Sequence, residues 1–316
     1  MIRHSAIQRF WISGVGSFFC WFVWQAAAQE PDETASTFRS DVRLVLLDVY
    51  VKDRESAVLG LSKENFVVRE DGRPQKITVF DRNDLPVTVG ILVDESRSMT
   101  SKRTDVLTAA QVFIEESNKQ DQIFILNFND TVRPGLPRNV LFSDSVEQLR
   151  SALNLGLPEG RTALRDAVVS GLKQLELGQR AKKALVVISD GGDTASTYTR
   201  KQMLDMVERS IATIYTIGLF DTDDPDRDPA ILRQLARISG GDAYFPPSSS
   251  VMIPVCRDIA KEIRTRYTIG YLPQASSTTN PLRRIQIDVS APGHPKLTVR
   301  ARTSYRYDAL EDLKHK

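Results

Sequence analysis

Four mostly apolar runs, separated by stretches with helical spacing, constrain the fold of this chain more than any other feature of its sequence. They occupy residues 87–93, 123–128, 184–188 and 214–219. Runs that are apolar at nearly every position, rather than at alternate ones, are typical of strands buried on both faces of a parallel sheet. Strands of this kind alternating with helices over residues 85–265 predict an α/β fold with a doubly wound, mostly parallel sheet.

Two of the intervening stretches have a clear helical pattern. Residues 104–117 and 162–177 repeat apolar side chains three or four positions apart, which places those side chains on one face of a helix. We expect both faces to pack against the predicted sheet.

Strand-like segments flank the α/β region on both sides. Residues 42–51, 65–70 and 75–80 precede it, with a tight turn predicted at Asp71-Gly72, and residues 267–272, 284–289 and 297–302 follow it. Neither group has enough strands to be stable alone. We therefore expect the two groups to pair in a small β-sandwich-like domain, residues 41–84 and 266–308, with the α/β domain, residues 85–265, inserted between its halves.

The N-terminal residues have the layout of a secretory signal. Arg3 and Arg9 are followed by an apolar run at 10–24 and by three alanines at 26–28. This pattern predicts a cleaved signal peptide over residues 1–28, then a flexible leader at 29–40, with a tail at 309–316. An uncleaved anchor is the alternative, but the run is short for a membrane span of about 20 residues. The mature chain contains no further segment typical of a membrane helix, so we expect a periplasmic, envelope-associated or secreted protein.

Charge and cysteine content narrow the functional classes. The chain has 42 basic and 40 acidic residues and two cysteines, Cys20 and Cys256. Removing the signal takes away two arginines and no acid, and a mature net charge near zero argues against binding to nucleic acid. Cys20 is removed with the predicted signal peptide, so Cys256 has no partner for an internal disulfide. We expect Cys256 to be a buried apolar residue.

Oxygen-bearing side chains follow two of the predicted strands and precede one predicted helix. The segments are Asp-Glu-Ser-Arg-Ser at 94–98, Gly-Arg-Thr-Ala-Leu at 160–164 and Ser-Asp-Gly at 189–191. In open α/β sheets, ligands bind at the edge where the parallel strands end. Carboxylate and hydroxyl oxygens are suitable ligands for a hard cation such as Mg²⁺. The sequence therefore indicates a divalent-metal site at this edge.

This arrangement resembles the metal-ion-dependent adhesion site of von Willebrand factor type A domains, and the resemblance covers about residues 85–265. It implies that Ser96 and Ser98 bind the metal directly, that Asp94 and Asp190 act partly through water, and that Thr162 is a conditional ligand. It also implies Mg²⁺, or alternatively Mn²⁺ or Ca²⁺, as the cofactor. The partner would be another protein whose acidic side chain completes the coordination of the metal.

Residues around this site are candidates for a partner-binding rim, namely Glu95, Arg97, Arg161, Asp221 and Asp223. Arg97 departs from the family pattern, which often has a small residue between the two serines. A long cation at this position could screen or select acidic partners, and it places metal affinity in doubt. The aspartate-rich loop at 221–228 could bind calcium, but Pro225 stands where an EF-hand needs a ligand, so a solvated loop is favoured.

Three functions are compatible with such a site. One is a non-catalytic binding or adhesion module. Another is a structural or assembly element of the cell envelope whose metal site is idle. The remaining one is a metal-dependent hydrolase, because a bound cation can activate water. Against it, His4, His294 and His315 lie in the signal, in a turn and near the tail, and none is placed as a general base.

Overall fold

The computed structural model describes residues 44–54, 56–153, 158–220, 225–273 and 280–307, all within one compact unit. The predicted signal peptide, the leader and the tail from residue 309 lie outside the described residues. The domain boundaries that the sequence predicts are not tested by the structure and stay predictions. No helix in the described part of the chain has the length and apolar character needed to cross a membrane.

The described part of the chain begins and ends in β-structure, and helices alternate with strands between these two β regions. The N-terminal strands are β1 (Val45–Asp53), β2 (Ser56–Ala57), β3 (Phe66–Glu70), β4 (Arg73–Gln75) and β5 (Ile77–Asp81). The central elements are β6 (Val87–Asp94), α1 (Arg103–Glu115), β7 (Gln122–Phe128), β8 (Val132–Pro134), α2 (Val146–Leu153), α3 (Leu164–Glu176), β9 (Lys182–Ser189), α4 (Arg200–Arg209), β10 (Thr213–Gly218), α5 (Pro229–Ser239), β11 (Ala243–Tyr244) and α6 (Ser249–Arg264). The C-terminal strands are β12 (Tyr267–Tyr271), β13 (Leu282–Val289), β14 (Leu297–Arg300) and β15 (Ser304–Arg306).

The central sheet has the strand order β11-β10-β9-β6-β7-β8. All neighbours are parallel except β8, which runs antiparallel to β7 at one edge. Every residue of β6 and of β10 is buried, in agreement with runs that lack alternation. The predicted α/β fold with a mostly parallel sheet is confirmed.

Local capping signals set the ends of two helices that cover this sheet. The Thr199 hydroxyl oxygen accepts a hydrogen bond from the Gln202 amide, and the Gln202 side-chain oxygen accepts one from the Thr199 amide, which forms a capping box for α4. Asp228 caps α5 ahead of Pro229, and Gly240 ends it with φ of 86°. A positive φ is unfavourable for residues with a Cβ atom, so glycine is suited to that end.

The terminal strands form two further antiparallel sheets. One has the order β14-β1-β12-β5 with β2 beside β1, and the other has the order β15-β13-β3-β4. N-terminal β1 pairs with C-terminal β12 and β14, and β3 pairs with β13, so the expected pairing of the two chain ends is present. Side chains of both sheets share one hydrophobic core, which is separate from the core around the central sheet.

The predicted strand at 75–80 is in fact two strands in different sheets. The turn at Asp71-Gly72 has φ values of 48° and 80°, and it returns β4 against β3 as predicted. After Lys76 the chain crosses over, and β5 pairs with β12 instead. Residues 73–76 are Arg-Pro-Gln-Lys and have no apolar alternation, so the sequence does not show which sheet this segment joins.

Candidate functional site

The candidate site lies at the edge where the parallel strands of the central sheet end. Strand β6 ends at Asp94, and β9 ends one residue before Asp190. These strands are neighbours, with Val93 opposite Ile188, so the two aspartates leave the sheet side by side. Parallel pairing of β6 with β9, which are far apart in the sequence, therefore brings the two predicted carboxylates together.

Asp94 is held rigidly at the floor of the site. Its side chain is buried, with Oδ1 accepting a hydrogen bond from the Ser96 amide at 2.9 Å and Oδ2 accepting one from the Ser189 hydroxyl at 2.6 Å. Burial, with a smaller contribution from the neighbouring Asp190 carboxylate, raises the pKa of Asp94 to about 7. A negative charge at this position is therefore costly unless a cation lies nearby.

Ser96, Ser98 and Asp190 form a continuous hydrogen-bonded group beside Asp94. The Ser96 and Ser98 hydroxyl oxygens are 3.1 Å apart, and the Ser98 hydroxyl donates to Asp190 Oδ2. The other carboxylate oxygen of Asp190 accepts from the Gly192 amide at 2.8 Å. A short 3₁₀ helix starts directly after Ser96, which turns both serines back toward the strand ends.

Thr162 reaches the same place from a third loop. Its carbonyl accepts hydrogen bonds from the Thr194 and Ala195 amides, both at 2.9 Å, and the next amide, of Ala163, donates to Asn129 at 2.7 Å. The Thr162 hydroxyl has no hydrogen-bond partner among the described residues. It borders a cleft of about 750 Å³ whose lining also includes Ser96, Ser98 and Asp190.

The donors in this cleft are of a kind that fits a hard divalent cation. They are two carboxylates and three hydroxyls, and oxygen ligands of this type suit Mg²⁺, which usually keeps several waters. A divalent cation would also offset the repulsion between the two buried carboxylates. Among the described residues there is no cluster of three or more His, Cys, Asp or Glu side chains able to hold a metal. Hydroxyl groups and water would therefore supply most of the coordination.

Comparison with known protein families identifies the domain that carries this cleft. A family model described as von Willebrand factor type A domain matches residues 87–245, which is half of the chain. This chain belongs to the von Willebrand factor type A (VWA) domain family. No curated protein matches the sequence.

Several solved structures resemble parts of this chain at low sequence identity. A von Willebrand factor type A protein from Catenulispora acidiphila is 14% identical, with a TM-score of 0.50 over 88% of this chain and 78% of that one. An aerotolerance-related membrane protein from Bacteroides fragilis is 15% identical, with a TM-score of 0.46 over 56% of this chain and 98% of that one. The minor pilin PilB from Streptococcus sanguinis is 12% identical, with a TM-score of 0.44 over 58% and 63%. At 14% identity, the likeness to the Catenulispora protein concerns the fold alone.

Of the five residues proposed for the rim of the VWA cleft, only some lie at the cleft in the structure. Arg97 and Arg161 line the cleft and are exposed. The Arg161 guanidinium is paired with Asp130 at 2.8 Å, whereas the Arg97 guanidinium has no partner in the described part of the chain. Asp221 and Asp223 lie outside the described residues.

Glu95 does not belong to the rim of the VWA cleft. Its side chain is fully buried and forms ion pairs with Arg103 at 3.0 Å and Arg133 at 3.2 Å. Both neighbours of Glu95 in the motif, Asp94 and Ser96, are buried as well. The two arginines, from α1 and β8, provide a buried site for its charge.

Sequence reasoning missed several groups that complete the VWA cleft. Ser189 bonds Asp94, and Gly192, Thr194 and Asp226 line the cleft. The Ser-Asp-Gly segment was a signal for Ser189, and the aspartate-rich loop was a signal for Asp226. Thr194 had none, because its place depends on a contact with the loop that carries Thr162.

Proposed function

We propose that this VWA domain is a metal-ion-dependent protein-binding or adhesion module of an exported protein. In this proposal Asp94, Ser96, Ser98, Thr162 and Asp190 hold Mg²⁺, with Mn²⁺ or Ca²⁺ as alternatives. An acidic side chain of another protein supplies the remaining ligand. The convergence of two buried carboxylates and three hydroxyls beneath one open cleft carries the proposal.

The charge and shape of the cleft support an acidic partner. Its volume of about 750 Å³ is larger than a hydrated cation requires, which leaves room for a side chain of a partner. Arg97, exposed at the mouth and without a partner among the described residues, offers a second attraction for a carboxylate. Metal coordination would supply the affinity, and the arginine would favour acidic over neutral ligands.

A binding role is better supported than hydrolysis. Of the three histidines, His294 lies in the β-sandwich, where its ring is 2.8 Å from Asp53, and the other two lie outside the described residues. The residues that line the cleft include no histidine, which is the commonest general base. The N-terminal signal pattern supports action outside the cytoplasm, where a protein with an adhesive role would meet its partners.

Calorimetric titration of the chain from residue 29 to its end with MgCl₂ and MnCl₂ tests the metal site. We expect saturable binding by the wild type and none by the Asp94→Ala variant. Asp130→Asn is the matched control, since Asp130 is an exposed carboxylate that pairs with Arg161 at the rim. Equal binding by wild type and Asp94→Ala would contradict the proposed site, and absence of binding by the wild type would favour the structural role with an idle site.

The partner chemistry needs a second experiment. Arrays of peptides that contain Asp or Glu would be probed with the wild-type chain in Mg²⁺ and again in EDTA. We expect binding to acidic peptides in Mg²⁺ only, with amide-substituted peptides as controls. Binding that survives EDTA would exclude coordination by the metal as the basis of recognition.

A further inference from the structure

Glu95, directly after Asp94, is a buried charge that the proposed metal set does not use. Its Oε1 accepts from Arg103 Nη1 at 3.0 Å, and its Oε2 accepts from Arg133 Nη2 at 3.2 Å. Arg103 belongs to α1 and Arg133 to the edge strand β8. The carboxylate thus joins the segment 94–98 to a helix on one side and to the sheet edge on the other.

The main chain of Glu95 makes two further connections. Its amide donates to the Phe128 carbonyl at the end of β7, at 2.7 Å. Its carbonyl accepts from the Glu159 amide at 2.9 Å, in the loop that leads to Thr162. One residue therefore links the segment that carries Ser96 and Ser98 to the segment that carries Thr162.

Arg103 extends the same connection beyond Glu95. Its Nη2 donates to the Leu153 carbonyl at the end of α2, at 3.1 Å. Leu153 and Glu159 are therefore both tied to Glu95, Leu153 through Arg103 and Glu159 through the main chain. Together with the Arg97 amide, which donates to the Gly160 carbonyl at 3.3 Å, these contacts connect the Thr162 loop to the segment that carries the serines.

We infer that Glu95 is a positioning residue, which sets the distance between the serine and threonine donors of the metal site. The inference rests on the proposed metal function. Mg²⁺ requires near-octahedral geometry at about 2.1 Å and tolerates little displacement of its ligands. Groups that orient the ligands of a metal are accordingly as necessary as the ligands themselves.

The Glu95→Gln variant tests this role with little change in shape. Glutamine carries no charge, so both ion pairs would be lost: its carbonyl oxygen would keep a hydrogen bond with one arginine, and its amide nitrogen would face the donors of the other. We expect the dissociation constant for Mg²⁺ to rise by about 10–100-fold, the range seen when groups that orient metal ligands are changed. Calorimetry with MgCl₂ measures this change.

Asp121→Asn is the matched control for a loss of stability alone. Asp121 is also a buried carboxylate, paired with Arg264 at 2.5 Å and bonded to the Val87 and Asn118 amides, but it lies before β7 at the opposite edge of the sheet. We expect both variants to unfold at lower temperature than the wild type. Only Glu95→Gln should weaken Mg²⁺ binding, and equal affinity in wild type and Glu95→Gln would overturn the inference.

Two further measurements test the inference if Glu95→Gln does not fold or if the wild type binds no Mg²⁺. If Glu95→Gln does not fold, Arg133→Gln removes one ion pair from a half-exposed position, and unchanged Mg²⁺ affinity in that variant would count against the role. If the wild type binds no Mg²⁺, the proposed function fails, and hydrogen exchange of the metal-free chain decides the positioning role. Faster exchange at residues 159–163 in Glu95→Gln, but not in Asp121→Asn, supports it, and equal exchange overturns it.

Discussion

Arg266 Nη2 donates to Glu262 Oε1 at 2.7 Å, and both side chains are almost completely buried. Arg266 follows α6 and also bonds the Tyr215 hydroxyl on β10, the Gly240 carbonyl and the Asp48 carbonyl on β1. Glu262 is paired in addition with Arg300 on β14. A buried charge network therefore joins the VWA sheet to the β-sandwich. Apolar contacts alone would specify the orientation of the sheet relative to the sandwich less narrowly, because they are not directional.

The first prediction concerns this junction. Arg266→Met should lower the free energy of unfolding by about 3–5 kcal/mol, because it removes one partner of a buried ion pair and leaves polar groups without donors. Urea unfolding of the metal-free chain measures the change. Arg257→Ala, also on α6, is the control, since its pair with Glu116 is exposed and should contribute about 0–1 kcal/mol. Similar losses in the two variants would show that the junction does not depend on Arg266.

The second prediction concerns the cost of two buried carboxylates in the proposed metal site. Above the Asp94 pKa of about 7, Asp94→Asn removes one negative charge beside Asp190 but keeps an oxygen acceptor for Ser189. In EDTA we expect the variant to unfold at a higher temperature than the wild type, because repulsion and desolvation of the charge are removed. Adding MgCl₂ should stabilise only the wild type, since a ligand stabilises the state that binds it. Thermal unfolding with and without Mg²⁺ checks both statements, and a variant less stable than the wild type in EDTA would contradict the first.

The third prediction concerns the effect of the Arg97 charge on Mg²⁺ affinity at the proposed metal site. Arg97→Ala should raise the affinity for Mg²⁺ about 2–5-fold at low ionic strength, as expected for removing a like charge at a distance of several ångströms in water. High salt should abolish the difference by screening. Arg161→Ala is the control, because the charge of Arg161 is already paired with Asp130 and its loss should change affinity less. Calorimetry at two salt concentrations measures these affinities. A larger change in Mg²⁺ affinity for Arg161→Ala than for Arg97→Ala would contradict the prediction.

The fourth prediction concerns Cys256. The thiol is fully buried in α6, and burial raises its pKa to about 12. Because Cys256 is buried and alkylation requires the thiolate, iodoacetamide should modify Cys256 of the folded chain only very slowly near neutral pH. In urea the pKa returns to its ordinary value and modification should follow unfolding. Mass spectrometry after timed labelling checks this, and rapid labelling of the folded chain would show that α6 opens readily.

Local patterns in the sequence were sufficient for much of the fold. Strands buried on both faces lack alternation, so β6 and β10 were recognisable without any tertiary information. Asp71-Gly72 was recognisable because few residue pairs adopt two consecutive positive φ values. Asp94 and Asp190 were recognisable as site candidates because parallel strands end at one edge of the sheet, whereas their direct contact depends on the pairing of β6 with β9.

Other features were decided only by contacts between distant segments. The split between β4 and β5 at Lys76 depends on which sheet offers a partner, and β8 and β11 are too short to have a pattern of their own. Glu95 was predicted for the rim of the site, yet two arginines from separate elements neutralise it inside the protein. A residue's own neighbours determine which conformations its backbone adopts, whereas the burial of a charge depends on partners that only the folded chain brings near. For this protein, the sequence alone determined the kind of sheet and the donors at its edge, and the tertiary structure decided how those donors are held.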